Sequence, residues 1–190
     1  MSQVLEIAAT AARLVVEECM DYGSAKRRAA QQLGLKRPEL PSNEMVEEQV
    51  RDYLALFCAD TQPAELAALR KVALLYMHRL DGFRPYLTGA VWRGTATRLN
   101  VVHLQLFCDD CKAPEIALIN QGIDYDVGST SGPRGQELNA LSFAHSCVEL
   151  GEPVTVVLSI LDYDDLRGAG GSSDRGDAAA LQSMMQKGQP

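Results

Sequence analysis

Residues 86–107 read Tyr86-Leu-Thr-Gly-Ala-Val-Trp-Arg-Gly-Thr-Ala-Thr-Arg-Leu-Asn-Val-Val-His-Leu-Gln-Leu-Phe107, and the chain changes its pattern at this stretch. The stretch is typical of a strand, a turn marked by Gly89 and Gly94, and a second strand from Asn100 to Phe107. Glycine at such a turn indicates a left-handed backbone or the close approach of another group. We therefore expect this stretch to position the functional site.

The second strand has two different faces, because side chains alternate along an extended chain. The side chains that we expect to point into the core are Val102, Leu104 and Leu106. The opposite face carries Val101, His103, Gln105 and Phe107. A histidine and a glutamine on one strand face, just after a glycine-marked turn, indicate the edge of a pocket.

The residues before this stretch have helical periodicity. Apolar side chains at helical spacing predict helices over residues 3–20, 24–33, 42–58 and 61–80. Ser42 is expected to cap the third of these helices. Residues 1–84 are therefore predicted to form an all-helical bundle.

The residues after this stretch alternate between helix and strand. The pattern predicts helices over 112–121 and 178–185, and strands over 122–127, 137–147 and 154–161. Residues 128–135 are predicted to form a polar loop, and residues 168–173 a linker. The fold class is therefore expected to be α+β, with the helical bundle followed by a small mixed sheet with flanking helices over 85–190.

Composition limits the classes of partner. The 190-residue chain has a formal net charge of −7, which argues against broad binding to nucleic acid or to an anionic membrane surface. No apolar run is long enough to cross a bilayer, and the first residues lack the pattern of a secretory signal. We expect a cytoplasmic protein with no membrane partner, in which all five cysteines are reduced.

The central stretch resembles the nucleotidyltransferase superfamily, which has a polymerase-beta-like fold. The signature of that superfamily is Gly-Ser, a short helical turn often containing Arg-Gly-x-Ala, and then Ser-Asp-x-Asp on a strand. Gly89 aligns with the first glycine, and residues 93–97 (Arg-Gly-Thr-Ala-Thr) match the turn. Asn100 falls at the serine that precedes the acids, and Val101 and His103 fall at the acid positions.

Most of the chain also looks like an uncharacterised proteobacterial family of about this length, often labelled nucleotidyltransferase. The matching pieces are residues 25–27, 32–35, 85–89, 94–96, 104–107 and Lys112. The resemblance to this family implies a bacterial protein, and the resemblance to the superfamily implies a nucleotide or magnesium at the central stretch. The ligand-binding candidates are Gly89, Arg93, Gly94, Thr95, His103, Gln105 and Lys112.

The chain departs from the superfamily where its chemistry is carried out. The strand acids of the superfamily hold magnesium, which prefers carboxylate oxygen. Here Val101 cannot ligate a metal, and His103 offers a softer nitrogen donor. Ala90 replaces the signature serine, and residues 154–161 contain no third acid. The sequence therefore predicts a degenerate nucleotidyltransferase-like protein that binds a nucleotide or a protein partner without ordinary two-metal transfer. The competing interpretation is that Gly89 and Gly94 are turn glycines only.

A second hypothesis concerns cysteine chemistry. Cys108 and Cys111 form a CxxC at a predicted strand–helix junction, the placement used by thiol-redox proteins. The two intervening aspartates oppose a thiolate. Joined with His145 and Cys147, the pair would also make a set of three cysteines and one histidine suited to zinc.

Overall fold

Eight α-helices and a six-stranded mixed sheet form the described part of the chain in a computed structural model, which covers residues 3–132, 135–168 and 174–188. The predicted α+β class and the helical N-terminal region are confirmed. The chain forms two compact units, one of residues 1–63 with 95–99 and one of residues 64–94 with 100–190.

The first unit is built on three helices, α1 (Gln3–Glu18), α2 (Tyr22–Gln32) and α3 (Asn43–Phe57). Their bounds agree with the predicted helices to within two residues. Its core contains many alanines, so the helices pack closely. The buried core residues are Ile7, Ala8, Ala11, Ala12, Leu14, Val16, Ala25, Ala29, Ala30, Val46, Val50 and Leu54.

Side chains define where these helices begin. Asp21 Oδ1 accepts a hydrogen bond from Ser24 N (2.9 Å), and Ser42 Oγ accepts one from Met45 N (3.2 Å). Each bond satisfies a backbone N–H that has no partner within its helix. The predicted Ser42 cap is therefore confirmed.

The second unit carries most of helix α4 (Gln62–Arg79) and a 3₁₀ turn (Asp81–Phe83) before the sheet begins. The remaining elements in chain order are β1 (Tyr86–Thr88), α5 (Gly89–Arg93), β2 (Val102–Cys108), α6 (Ala113–Asn120), β3 (Asp126–Ser131), β4 (Glu137–Cys147), β5 (Glu152–Asp162), α7 (Asp164–Gly168), β6 (Arg175–Gly176) and α8 (Ala178–Lys187).

The strands lie in the order β3-β4-β5-β2-β1-β6. Only β2 and β5 run parallel among the paired strands described, and the other neighbours are antiparallel. Strands β2 and β5 are therefore the centre of the sheet, with β1 bringing the glycine-marked turn beside β2.

One face of the sheet is apolar and covered. Its buried side chains include Leu87, Val102, Leu104, Leu106, Leu141, Val156 and Leu158. Helix α4 packs on this apolar face. Its Tyr76 ring lies 4.7 Å from the Phe143 ring of β4 in an edge-on arrangement. This contact places α4 in the same compact unit as the sheet, whereas the predicted domain bounds (1–84 and 85–190) group it with the other helices.

Two sequence predictions in the second half are wrong. The strand predicted over 122–127 begins only at Asp126, and the first half of the predicted loop over 128–135 belongs to the edge strand β3. Its polar residues are extended because β4 supplies the backbone partners, as in the pair Gly128 and Ala140. Within the predicted linker, residues 169–173 lie outside the described part of the chain.

Candidate functional site

The second face of the sheet is polar and only partly covered, and we call it the open face. Pairing brings Thr88 opposite His103, and Tyr86 opposite Gln105. On the other side of β2, Gln105 pairs with Ser159 of β5. Since residues two apart on a strand share a face, these side chains project from the same side of the sheet.

Gly89 lies directly beside His103. The backbone of Gly89 is left-handed (φ 76°), and a Cβ added there would lie 3.7 Å from His103 Cδ2. A methyl group at Gly89 would make only an ordinary van der Waals contact with His103, so the left-handed backbone is what favours glycine here. The turn itself is the short helix α5, which ends at Gly94 in a second left-handed conformation (φ 84°). Both glycines thus have the backbone that turn glycines require.

The side chains of Thr88, His103 and Ser159 make no hydrogen bond with the part of the chain that the structure describes. Part of the His103 imidazole is exposed to solvent. The surrounding atoms still remove enough water to hold the pKa of His103 below its ordinary value. His103 is therefore a neutral donor or acceptor at neutral pH, and the three side chains offer hydrogen bonds to a ligand.

Arg175 is the site residue that sequence reasoning missed. Its Nη1 donates a hydrogen bond to Gln105 Oε1 (2.9 Å). Its guanidinium lies over the rings of Tyr86 (4.8 Å) and Phe107 (5.0 Å), which meet edge-on. The stack positions a cation at the open face and buries Phe107. No signal marks Arg175 in the sequence, since it belongs to a strand of two residues beyond a Gly- and Ser-rich segment.

The strand that carries Arg175 is held from its other side by Trp92. A side chain at Gly176 would overlap the Trp92 indole, so the glycine is required for this packing. Trp92 is therefore a packing residue. Arg70 fixes the same turn by donating to Val91 O (3.1 Å) and Trp92 O (3.2 Å).

The structure brings together only some of the predicted ligand-binding residues. Gly89, His103 and Gln105 meet at the open face. Thr95 is buried and belongs to the first compact unit. Arg93 and Gly94 close helix α5. Lys112 Nζ donates to Glu115 Oε1 (2.9 Å), and this bond raises the pKa of Lys112.

The open face does not suit the magnesium pair of a nucleotidyltransferase. On β1, β2 and β5, all of whose residues the structure describes, no carboxylate projects from this face. The neighbour of His103 on β5 is Val157. Magnesium needs carboxylate oxygens, so these residues do not fit it. Throughout the described residues, no three histidine, cysteine or acidic side chains are grouped to hold a metal ion.

The four residues proposed for zinc are not brought together. Cys108 pairs with Asp162 at one end of β5, whereas Cys147 pairs with Glu152 at the other. Ten residues of extended strand separate those two partners, or about 33 Å. His145 instead lies beside Tyr76, with 3.1 Å between its Nδ1 and the tyrosine Oη. The predicted zinc set of Cys108, Cys111, His145 and Cys147 is therefore contradicted by the sheet register.

Cys108 lacks the character of a redox nucleophile. Burial raises the pKa of its thiol, and the neighbouring Cys111, Asp110, Asp109 and Asp162 raise it further. A reactive cysteine needs a lowered pKa, since the thiolate is the nucleophile.

Comparison with known proteins gives no family for this chain. No protein-family model matches it, and neither a curated protein nor a solved structure does. Among the described helices, none has the length and apolar character needed to cross a membrane.

Proposed function

We propose that this chain is a nucleotidyltransferase-like protein that binds a nucleotide on the open face without transferring a nucleotidyl group. The observation that carries the proposal is the placement of Gly89 against His103, beside Gln105 and Arg175. The resemblance of residues 89–107 to the superfamily signature supports the choice of a nucleotide. The fold class is compatible with that resemblance.

Arg175 supplies the charge for a phosphate group. A guanidinium presents several N–H donors in a plane that matches phosphate oxygens, and its stack on Tyr86 and Phe107 restricts its motion before a ligand arrives. Gln105 Oε1 accepts from Arg175, which leaves the Gln105 amide nitrogen as a further donor. Thr88 adds a hydroxyl on the neighbouring strand.

The same residues argue against catalysis. Two-metal transfer depends on carboxylates that hold magnesium against the phosphates and the attacking hydroxyl. The corresponding positions are Val101 and His103, and Val157 faces His103 from β5. The binding is therefore expected to be independent of magnesium.

Thermal shift and titration calorimetry with ATP, GTP, CTP and UTP test this function, each with magnesium and with EDTA. A ligand that binds only the folded state stabilises it by about 2.7 kcal/mol at a hundredfold excess over Kd. We expect at least one nucleotide to raise the melting temperature equally in both buffers, with no release of pyrophosphate.

The variant Arg175→Gln is expected to lose this shift. Arg51→Gln is the matched control, because Arg51 pairs with Glu47 on the surface of the first unit. If no nucleotide shifts the melting temperature of the native chain, nucleotide binding is refuted and the open face becomes a candidate surface for a protein partner. If the shift requires magnesium and pyrophosphate is released, the degenerate assignment is wrong.

A further inference from the structure

A cleft of about 430 Å³ lies next to the start of β1, and we call it the Arg84 cleft. The polar side chains that line it are His78, Asp81, Arg84, Tyr86, Asp177 and Gln182. Its volume falls within the range of about 300–1,000 Å³ typical of small-molecule sites. Tyr86 lines this cleft and also contacts the open face, where the Arg175 guanidinium lies over its ring.

Arg84 has an unusual backbone. It adopts the left-handed conformation (φ 46°, ψ 64°), although it is neither glycine nor asparagine and precedes Pro85. A residue before proline favours an extended backbone, and conformations of this kind cost about 1–3 kcal/mol. Arg37, which also precedes a proline, has a left-handed backbone as well but lies outside the cleft, so the inference depends on the contacts of the Arg84 side chain.

The guanidinium of Arg84 is positioned but not neutralised. It lies 4.6 Å from the centre of the Tyr163 ring, and this stack holds its plane. It forms no hydrogen bond or ion pair with the part of the chain that the structure describes. Its N–H donors are therefore left for a planar anion, and a carboxylate has the matching geometry.

Asp81 brings the opposite charge to the same cleft. Its backbone carbonyl accepts from Arg84 N (3.0 Å), but its carboxylate has no bonding partner among the described residues. Asp81 and Arg84 do not pair with each other. Asp177 also lines the cleft, and one of its oxygens accepts from Ala180 N (2.8 Å) to cap α8.

From these contacts we infer that the Arg84 cleft binds an amino acid as its zwitterion. The carboxylate of the ligand pairs with Arg84, and its ammonium pairs with Asp81. A phosphate alone is disfavoured, because the carboxylates of Asp81 and Asp177 line the same cleft. A ligand that carries only a cation is disfavoured by Arg84 in the same way.

Titration calorimetry of the full chain with each of the twenty amino acids tests the inference. We expect at least one to bind with a Kd in the range of about 1 mM or below. Its N-acetyl derivative and its decarboxylated amine, each lacking one of the two charges, are expected to bind at least about tenfold more weakly. Equal binding of either derivative, or no binding of any amino acid at about 10 mM, overturns the inference.

Variants separate binding from folding. Arg84→Gly and Asp81→Asn are each expected to weaken binding at least about tenfold. Glycine accepts the left-handed backbone at Arg84, so the Arg84→Gly variant should stay folded. Retained binding in Arg84→Gly contradicts the inference.

The chain contains a matched control for each variant. Arg37 is also a left-handed arginine before a proline (φ 53°), but it belongs to the first unit. Arg37→Gly should leave binding unchanged. Asp124→Asn is the control for Asp81→Asn, because Asp124 is exposed and lies outside the cleft. Nucleotides play no part in these measurements, so their result is independent of the function proposed for the open face.

Discussion

Arg175 Nη1 lies 2.9 Å from Gln105 Oε1, which links the edge strand β6 to the central strand β2 across the face of β1. The two residues are separated by 70 positions in the chain. This bond orients the Arg175 guanidinium at the open face, and the rings of Tyr86 and Phe107 pack beneath the guanidinium.

Arg175 and Gln105 should act together in nucleotide binding. Arg175→Gln removes charge-assisted hydrogen bonds worth about 1.5–3 kcal/mol, so we expect binding to weaken at least about tenfold. Gln105→Ala should weaken it less, since the charge remains. In calorimetry the double variant should lose less than the sum of the two single losses. Additive losses would mean that the two side chains act independently.

Gly176 should tolerate no side chain. In Gly176→Ala the new methyl group overlaps the Trp92 indole, so β6 or α5 must shift. Overpacking of this kind costs about 1–3 kcal/mol, which urea unfolding will measure. Gly128→Ala is the matched control in strand β3, because no atom lies within 4 Å of the added Cβ. That substitution should change stability by less than about 0.5 kcal/mol. Equal effects of the two would contradict the packing assigned to Trp92.

The Asp21 cap should make the first unit sensitive to acid. Hydrogen bonds from Ser24, with a smaller contribution from Arg27, hold the pKa of Asp21 below its ordinary value of 3.8. A carboxylate whose pKa is lower in the folded state stabilises the fold above its unfolded pKa. That stability is lost as the pH falls below about 3.8 through the folded pKa.

Asp21→Asn isolates this effect, because asparagine keeps the cap and removes the charge. Urea unfolding between pH 7 and pH 2 should show a smaller loss of stability for Asp21→Asn than for the native chain. Asp21→Ala removes the cap as well and should cost about 1 kcal/mol at neutral pH. If the native chain and the Asp21→Asn variant lose the same stability in acid, other carboxylates cause the acid response.

The thiol of Cys108 should react slowly. Burial and the neighbouring carboxylates raise its pKa, so the pH profile of its alkylation should have a midpoint above the ordinary value of 9.0. Iodoacetamide kinetics on a Cys111→Ser variant, followed by mass spectrometry of the Cys108 peptide, give this midpoint. A midpoint below 9.0 would instead favour the thiol-redox alternative.

Local patterns were enough for the longer helices and for the centre of the sheet, but not for the five-residue helices α5 and α7. Apolar spacing predicted α1, α3 and α4 to within two residues, and alternation along β2 identified Val102, Leu104 and Leu106 as buried. Helices and caps depend on residues three or four positions apart, which are all visible in the sequence. For Gly89 the sequence predicted either a left-handed backbone or the close approach of another group. The left-handed backbone is present.

Tertiary structure alone decided what lies around that turn. The parallel pairing of β2 and β5, the edge position of β3 and the separation of Cys108 from Cys147 all follow from strand register. Arg175 reaches Gln105 only because β6 pairs with β1. Contacts between residues so distant in the chain depend on how whole elements pack, and no local pattern encodes that packing.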